Sequence, residues 1–442
     1  MVRRVLERLL ALRPAAARAQ PMRARVPLAV CACVAGALLL SSCGTSFRDS
    51  DDARADVDVA TPGSCAATVL GALGHVATRV YGEGISSERT VSATRMIESS
   101  TALRTAVEQG NATKARAAGR ALLATGHMTN LRVVRAGKLL VDLGGPALTP
   151  LGGTLTDAGG KPIASFVTSV WADGGLIAET NGIAEATTVL RTGTVSSNGR
   201  TLAGAIPLPD GVLPAEGTLE HNGVTYQFTS YAARAYPAGE ELRVFVLRPI
   251  ESTVPLCGAN DDETTVNTLS RIARLIYEGE AGRRTLTQID RVQRNAPLLH
   301  AVATRDKAAT STAVKALLHE HIVRLRVSSS GGALLSDVGG PYVLAPVTAP
   351  LRLHGRTIGS FVLSIQDDEG YKRLANRLAG LDVLMYMGPR LVKSTVGSAP
   401  GRIPTSGPVS LRGKSYRAYT FDAKAFPSGP LRITVLIPLP YS

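Results

Sequence analysis

Apolar positions along the chain change period twice over, and each change predicts a change of element. Val69, Leu73, Val76 and Val80 fall on one face at helical spacing, as do Val266, Leu269, Ile272 and Ile276 about 195 residues further on. Tyr81 and Tyr277 close these two stretches. A second helical region follows each, with Asn111 and Asp306 at matching places where a short polar break caps a helix, and it ends at Leu122-Leu123 and Leu317-Leu318. The period then falls to two, as in Phe166-Thr168-Val170, Val224-Tyr226-Phe228 and Leu431-Ile433-Val435, with Gly, Pro and Asp turns between. Helices first and sheet afterwards predict an α+β fold in which N-terminal helices precede an antiparallel sheet, not a doubly wound parallel one.

The order occurs twice because the chain is an internal repeat. Leu131-Arg132-Val133 returns as Leu325-Arg326-Val327, Gly144-Gly145-Pro146 as Gly339-Gly340-Pro341, Ser165-Phe166-Val167 as Ser360-Phe361-Val362, and Ala235-Tyr236-Pro237 as Ala425-Phe426-Pro427. His127 and His321 also correspond. So long a period means two related domains in tandem, 64–252 and 253–442, and the small drift in offset marks loop insertions. A chain of 442 residues suits two domains of that size.

The first 43 residues stand outside the repeat. Arg23 and Arg25 precede an apolar run from Val26 to Leu40, too short to span a bilayer comfortably, followed by Ser41, Ser42 and Cys43. That is the form of a secretory signal, and Leu40-Ser41-Ser42-Cys43-Gly44 resembles the bacterial lipobox. The resemblance implies cleavage before Cys43, diacylation of Cys43 and a lipid anchor at the outer face of the cell membrane. An ordinary secreted protein and an uncleaved anchor are the alternatives, and Met22 is a second candidate start. Residues 44–63, rich in Asp and lacking an apolar period, read as a flexible tether.

Removing the leader changes the charge. The chain carries 49 Lys and Arg against 35 Asp and Glu, a net +14, but residues 1–43 hold seven Arg and one Glu, and the remainder is +8. Aromatics are only 4% and no basic stripe is interleaved with them, which argues against nucleic-acid binding. With Cys31 and Cys33 lost and Cys43 lipidated, Cys65 and Cys257 remain, each shortly before the first helix of its repeat. They form either a disulfide in an oxidising compartment or two free thiols, and the bridge is favoured because only these two candidates are left.

The helix pair, the basic strand Ile322 to Val327, the turn Asp337-Val338-Gly339-Gly340, the strand Gly359 to Ile365 and a helix start at Asp368 to Tyr371 together resemble the Cache domain, the PAS-like extracytoplasmic sensor module of bacterial receptors and kinases. Repeat 1 keeps the frame but departs between Trp171 and Glu185, where Asp173-Gly174-Gly175-Leu176 replaces the acidic stretch. The resemblance implies a small-ligand pocket, with Asp367, Asp368 and Tyr371 on its far wall, although Tyr371 equally fits a core. Arg324 and Arg326 alternate with Val323, Leu325 and Val327, so both guanidinium groups share one strand face, where they suit a carboxylate or phosphate. A solvated sheet face, or an ion pair with nearby acids, is the competing reading. His321 precedes the strand and reads as a hydrogen-bonding pocket member or a structural residue. Repeat 1 retains Arg132 and His127 but has Asn130 in place of Arg324, which implies a less anionic ligand or a mere spacer.

No nucleophile elbow, zinc-protease helix, phosphate loop or paired-cysteine motif occurs, and the seven His nominate no metal site or cofactor. The expectation is a non-enzymatic lipoprotein that binds a small ligand, an organic anion in this reading, as a sensor or accessory binding protein. No transmitter is recognised after the second repeat, so a separate membrane receptor or kinase would carry any signal. The alternative is an envelope interaction or assembly protein without a small-molecule pocket.

Overall fold

The computed structural model describes residues 64–279, 282–318, 321–399, 403–427 and 429–441; the expected signal, Cys43 and the expected tether lie outside them. Repeat 1 opens with the long helix α1 (Cys65–Ser86), capped by the Ser64 hydroxyl, followed by α2 (Glu88–Ser99), α3 (Thr101–Glu108) and α4 (Ala112–Leu123). Val69, Leu73, Val76 and Val80 are all buried, as their spacing predicts. Asn111 caps α4 by accepting from the amide of Lys114. After α5 (Asp173–Ala184) and the short α6 (Ile250–Thr253), repeat 2 follows with α7 (Asp261–Gly279), α8 (Arg283–Gln293), α9 (Ala296–Ala303) and α10 (Lys307–Leu317). Asp306 caps α10 at the place matching Asn111.

Antiparallel sheets follow the helices, but each repeat has two main sheets rather than one, and repeat 1 adds a two-stranded ribbon of Ala147–Leu148 and Trp171–Ala172. The first sheet of repeat 1 runs in the order Lys138–Leu143, Asn130–Arg135, Pro162–Ser169, Leu151–Thr156. In repeat 2 the same order is Leu334–Gly339, Arg324–Ser329, Arg356–Ser364, Val347–Leu353. The second sheets run Thr201–Ala203, Thr187–Thr192, Glu241–Pro249, Val224–Arg234, Glu216–His221 and, in repeat 2, Arg390–Ser394, Asp382–Met387, Gly429–Pro438, Lys414–Phe426, Val343–Leu344, Gln366–Asp367, with Ser406–Leu411 also paired to Lys414–Phe426. Between the two sheets of each repeat lies a helix, α5 in repeat 1 and α11 (Asp368–Ala379) in repeat 2. Period-two patterning marks strands without saying which sheet they join, so the partition is invisible in sequence. Repeat 1 does not depart where its acidic stretch is lost. Leu176, Thr180 and Ala184, one turn apart, bury the same face of α5 despite its glycines.

The two repeats share a core. Helices α1 and α7 pack on each other, and each also packs on both α5 and α11. Val69, Leu73, Val76 and Leu176 thereby join Leu269, Ile272, Tyr371 and Leu378 in one apolar cluster. Corresponding polar ties hold the halves. The hydroxyl of Tyr81 accepts from the Arg234 amide at 2.9 Å, and that of Tyr277 from the Lys424 amide at 2.9 Å, fastening α1 and α7 to their own second sheets. Arg79 donates to the carbonyls of Asn376 and Arg377 at the end of α11, while Arg271 pairs with Glu185 at the end of α5. Cys65 and Cys257 form a disulfide with 5.6 Å between Cα atoms, joining the approaches to α1 and α7. No described helix is long and apolar enough to cross a membrane.

Candidate functional site

A cavity of about 270 Å³ opens in repeat 2 between the two sheets, lined by Val323, Gly340, Pro341, Tyr342, Val343, Asp367, Asp368 and Lys393. One wall is the turn after strand Leu334–Gly339. Gly339 lies at φ +139°, and a Cβ there would sit 2.4 Å from the carbonyl oxygen of Val323, so only glycine lets the turn approach. Gly144 repeats this in repeat 1, with φ +108° and a Cβ that would lie 2.6 Å from the carbonyl of Thr129. The repeated Gly-Gly-Pro is thus a close-approach turn.

The facing wall is the start of α11. Asp367 is its N-cap and accepts from the Gly370 amide at 2.7 Å. Asp368 and Glu369 occupy the first turn, where the helix dipole favours carboxylates. Asp368 is buried; its Oδ1 accepts from the Glu369 amide, while Oδ2 has no hydrogen-bond donor. Lys393 Nζ stands 3.3 Å from that Oδ2, near enough for an ion pair, but directs its hydrogen bond to Glu369 Oε1 at 2.8 Å. The bond to Glu369 chiefly holds the Lys393 ammonium above its ordinary range. Hydrogen bonds from Lys393 and then Lys372 hold the Glu369 carboxyl below its own. Three carboxylates face two ammonium groups here, so the site is net acidic.

The arginines expected to grip a ligand are already taken. Arg324 and Arg326 do share a strand face, but both donate to Asp337 on the neighbouring strand, Arg324 Nε to Oδ1 at 2.9 Å and Arg326 Nη2 to Oδ2 at 2.7 Å. Both also lie over the ring of Phe426, at 5.2 and 4.6 Å from its centroid. Cross-strand register decides this, since Asp337 is the residue directly opposite Arg326. Arg324 buttresses the cavity from behind, donating to the Gly340 carbonyl at 2.6 Å. Asn130 makes the matching bond to Gly145 in repeat 1, also 2.6 Å, which is how the substitution is tolerated.

Tyr371 is core, not cavity wall: it is fully buried and its hydroxyl donates to the Ala273 carbonyl at 2.9 Å. His321 is exposed, at φ +82°, and does not line the cavity. Arg132 pairs with Asp142 at 3.2 Å on an exposed strand face. Of the expected residues Asp367 and Asp368 line the cavity. Lys393 escaped notice because it comes from a strand 25 residues beyond Asp368, with no local signal linking them.

Repeat 1 keeps a carboxylate at the equivalent place. Asp173 opens α5 with its Oδ1 buried and unpartnered, and burial raises its pKa above the ordinary carboxylate value. Trp171 beside it has a buried indole N–H without an acceptor. A more open groove of about 600 Å³ between α3 and α4 is lined by small side chains such as Ala102, Ala106 and Ala118, with Lys114 its one charged group. Among the described residues no three His, Cys, Asp or Glu side chains cluster as a metal site would require.

No family model matches the chain, and no curated protein does. Solved structures do match, among them an extracellular ligand binding receptor from Desulfohalobium retbaense DSM5692, at 12% identity and a TM-score of 0.23. The match covers 56% of this chain and 47% of that one, so the chain spans about half of that receptor's length, and function must be argued from the site itself.

Proposed function

We propose that the chain is a non-enzymatic binding protein of the extracytoplasmic face, tethered by lipid on Cys43, whose second repeat takes a small ligand bearing an ammonium group. In this reading the repeats are Cache-like sensor domains, and a separate membrane receptor or kinase receives the signal. One observation carries the ligand class: two carboxylates, Asp367 and Asp368, line the cavity against the single ammonium of Lys393, and the buried Asp368 Oδ2 meets only that ion pair, at 3.3 Å. A buried acceptor of that kind favours a charge-assisted donor. Lys393 is already paired with Asp368 and Glu369, which leaves a carboxylate in excess at the cavity, so a small amine fits best. With Arg324 and Arg326 neutralised by Asp337, a simple organic anion has no free guanidinium to meet. The Cys65–Cys257 disulfide supports an oxidising location.

Calorimetry of the purified protein against amines, amino acids and organic acids tests the reading. Binding of an amine or amino acid should be lost in Asp368→Asn and kept in Arg326→Ala. Loss in Arg326→Ala, or a flat response across the library with the fold intact, would overturn it, the latter in favour of an envelope interaction role.

A further inference from the structure

The second sheet of repeat 1 buries two cations side by side. Arg191, on strand Thr187–Thr192, stands directly opposite Arg243, on strand Glu241–Pro249, and each is at least nine-tenths buried. The face they share is otherwise apolar, with Val189, Phe228, Phe245 and Leu247 beneath a cover that includes Ile206 and Leu208. Like charges directly opposite on a sheet repel, and a buried cation is costly without a counter-charge. Yet the acceptors these two meet are neutral. Arg191 Nη2 donates to the carbonyls of Gly199, Pro209 and Gly211, and Arg243 Nη2 to the carbonyl and hydroxyl of Ser230. Nε and Nη1 of Arg191 and Nε of Arg243 are buried with no acceptor at all. Exposed Asp210 acts on Arg191 only from a distance. Repeat 2 has no such conflict, because Tyr386 faces Arg432 at the corresponding positions and Arg432 donates to the Gly388 carbonyl at 2.9 Å.

We propose that Arg191 and Arg243 form an anion site that takes a halide, chloride in the natural setting, under the 193–215 segment of repeat 1. The cover is close: a Cβ on Gly199 would fall 2.8 Å from Arg191 Nη1, which favours a monatomic ion over phosphate. The ion accepts from the orphaned N–H groups, offsets the repulsion and fastens the covering segment to the sheet. This site is independent of the cavity in repeat 2.

The test is thermal unfolding of the purified protein in sodium chloride against sodium gluconate at equal ionic strength, with an inorganic phosphate arm. Chloride at a hundredfold excess over its Kd should raise Tm saturably by roughly 3 °C, while phosphate does no more than gluconate. Arg243→Met and Arg191→Tyr, the latter installing repeat 2's pairing, should fold and lose the chloride response. Equal Tm in chloride and gluconate, a larger response to phosphate, or a full chloride response in Arg243→Met overturns the proposal. Should both variants fail to fold, anomalous diffraction from bromide-grown crystals of the unaltered protein decides: a peak between the two guanidinium groups upholds the site, and none refutes it.

Discussion

Replacing Asp337 with Asn removes one negative charge from between two guanidinium groups while keeping the side chain's shape. Arg324 and Asp337 are nearly buried, at 12% and 15% side-chain exposure, whereas Arg326 is 34% exposed. Three charge-assisted hydrogen bonds reach the carboxylate, one from Arg324 and two from Arg326. A buried bond of this type is worth about 1.5–3 kcal/mol, while the half-exposed Arg326 side contributes about 1 kcal/mol or less after solvent screening. The Arg324 carbonyl bond to Gly340 survives and limits the damage. Asp337→Asn should therefore cost about 2–3 kcal/mol, and Arg326→Ala about 1 kcal/mol. Acidity sharpens the test. Burial alone would raise the Asp337 pKa, but the hydrogen bonds and charges of Arg324 and Arg326 together outweigh it and hold the carboxyl below its ordinary value. Its stabilisation is then fully present above the unfolded pKa, about 3.9, and is lost as pH falls through the lower folded value. In urea unfolding, the deficit of Asp337→Asn should stay constant from neutral pH to about 4 and shrink below that. A deficit under about 1 kcal/mol at neutral pH, or one unchanged down to pH 2, would refute the reasoning.

Two further outcomes follow from the shared core. Cys65 and Cys257 lie 192 residues apart, so the Cys65→Ser/Cys257→Ser variant should lose about 2–5 kcal/mol in urea unfolding, and reductant should have no further effect on it. Tyr371→Phe, which removes only the bond to the Ala273 carbonyl, should cost about 1 kcal/mol and leave ligand affinity within twofold, because the ring faces the core.

Much of the local architecture was legible. The helical face of Val69, Leu73, Val76 and Val80, its counterpart from Leu269 to Ile276, and the caps Asn111 and Asp306 all depend on neighbours within a few residues. The duplication was legible too, since it needs only the chain compared with itself. The site was not. Arg324 and Arg326 were correctly assigned to one face, but periodicity cannot say that the residue across from Arg326 is an acid.

The sequence by itself determined the elements and their order, because side-chain period and capping are set by bonds along the backbone. Only the tertiary structure decided that the strands of each repeat divide into two main sheets, that Tyr371 faces α7 rather than a ligand, and that Asp368 and Lys393 meet across a cavity. It also decided that Arg191 and Arg243 face each other under cover. Those outcomes turn on strand register and helix packing between residues tens to hundreds of positions apart, where charge and burial are properties of the assembled neighbourhood and not of any one stretch of chain.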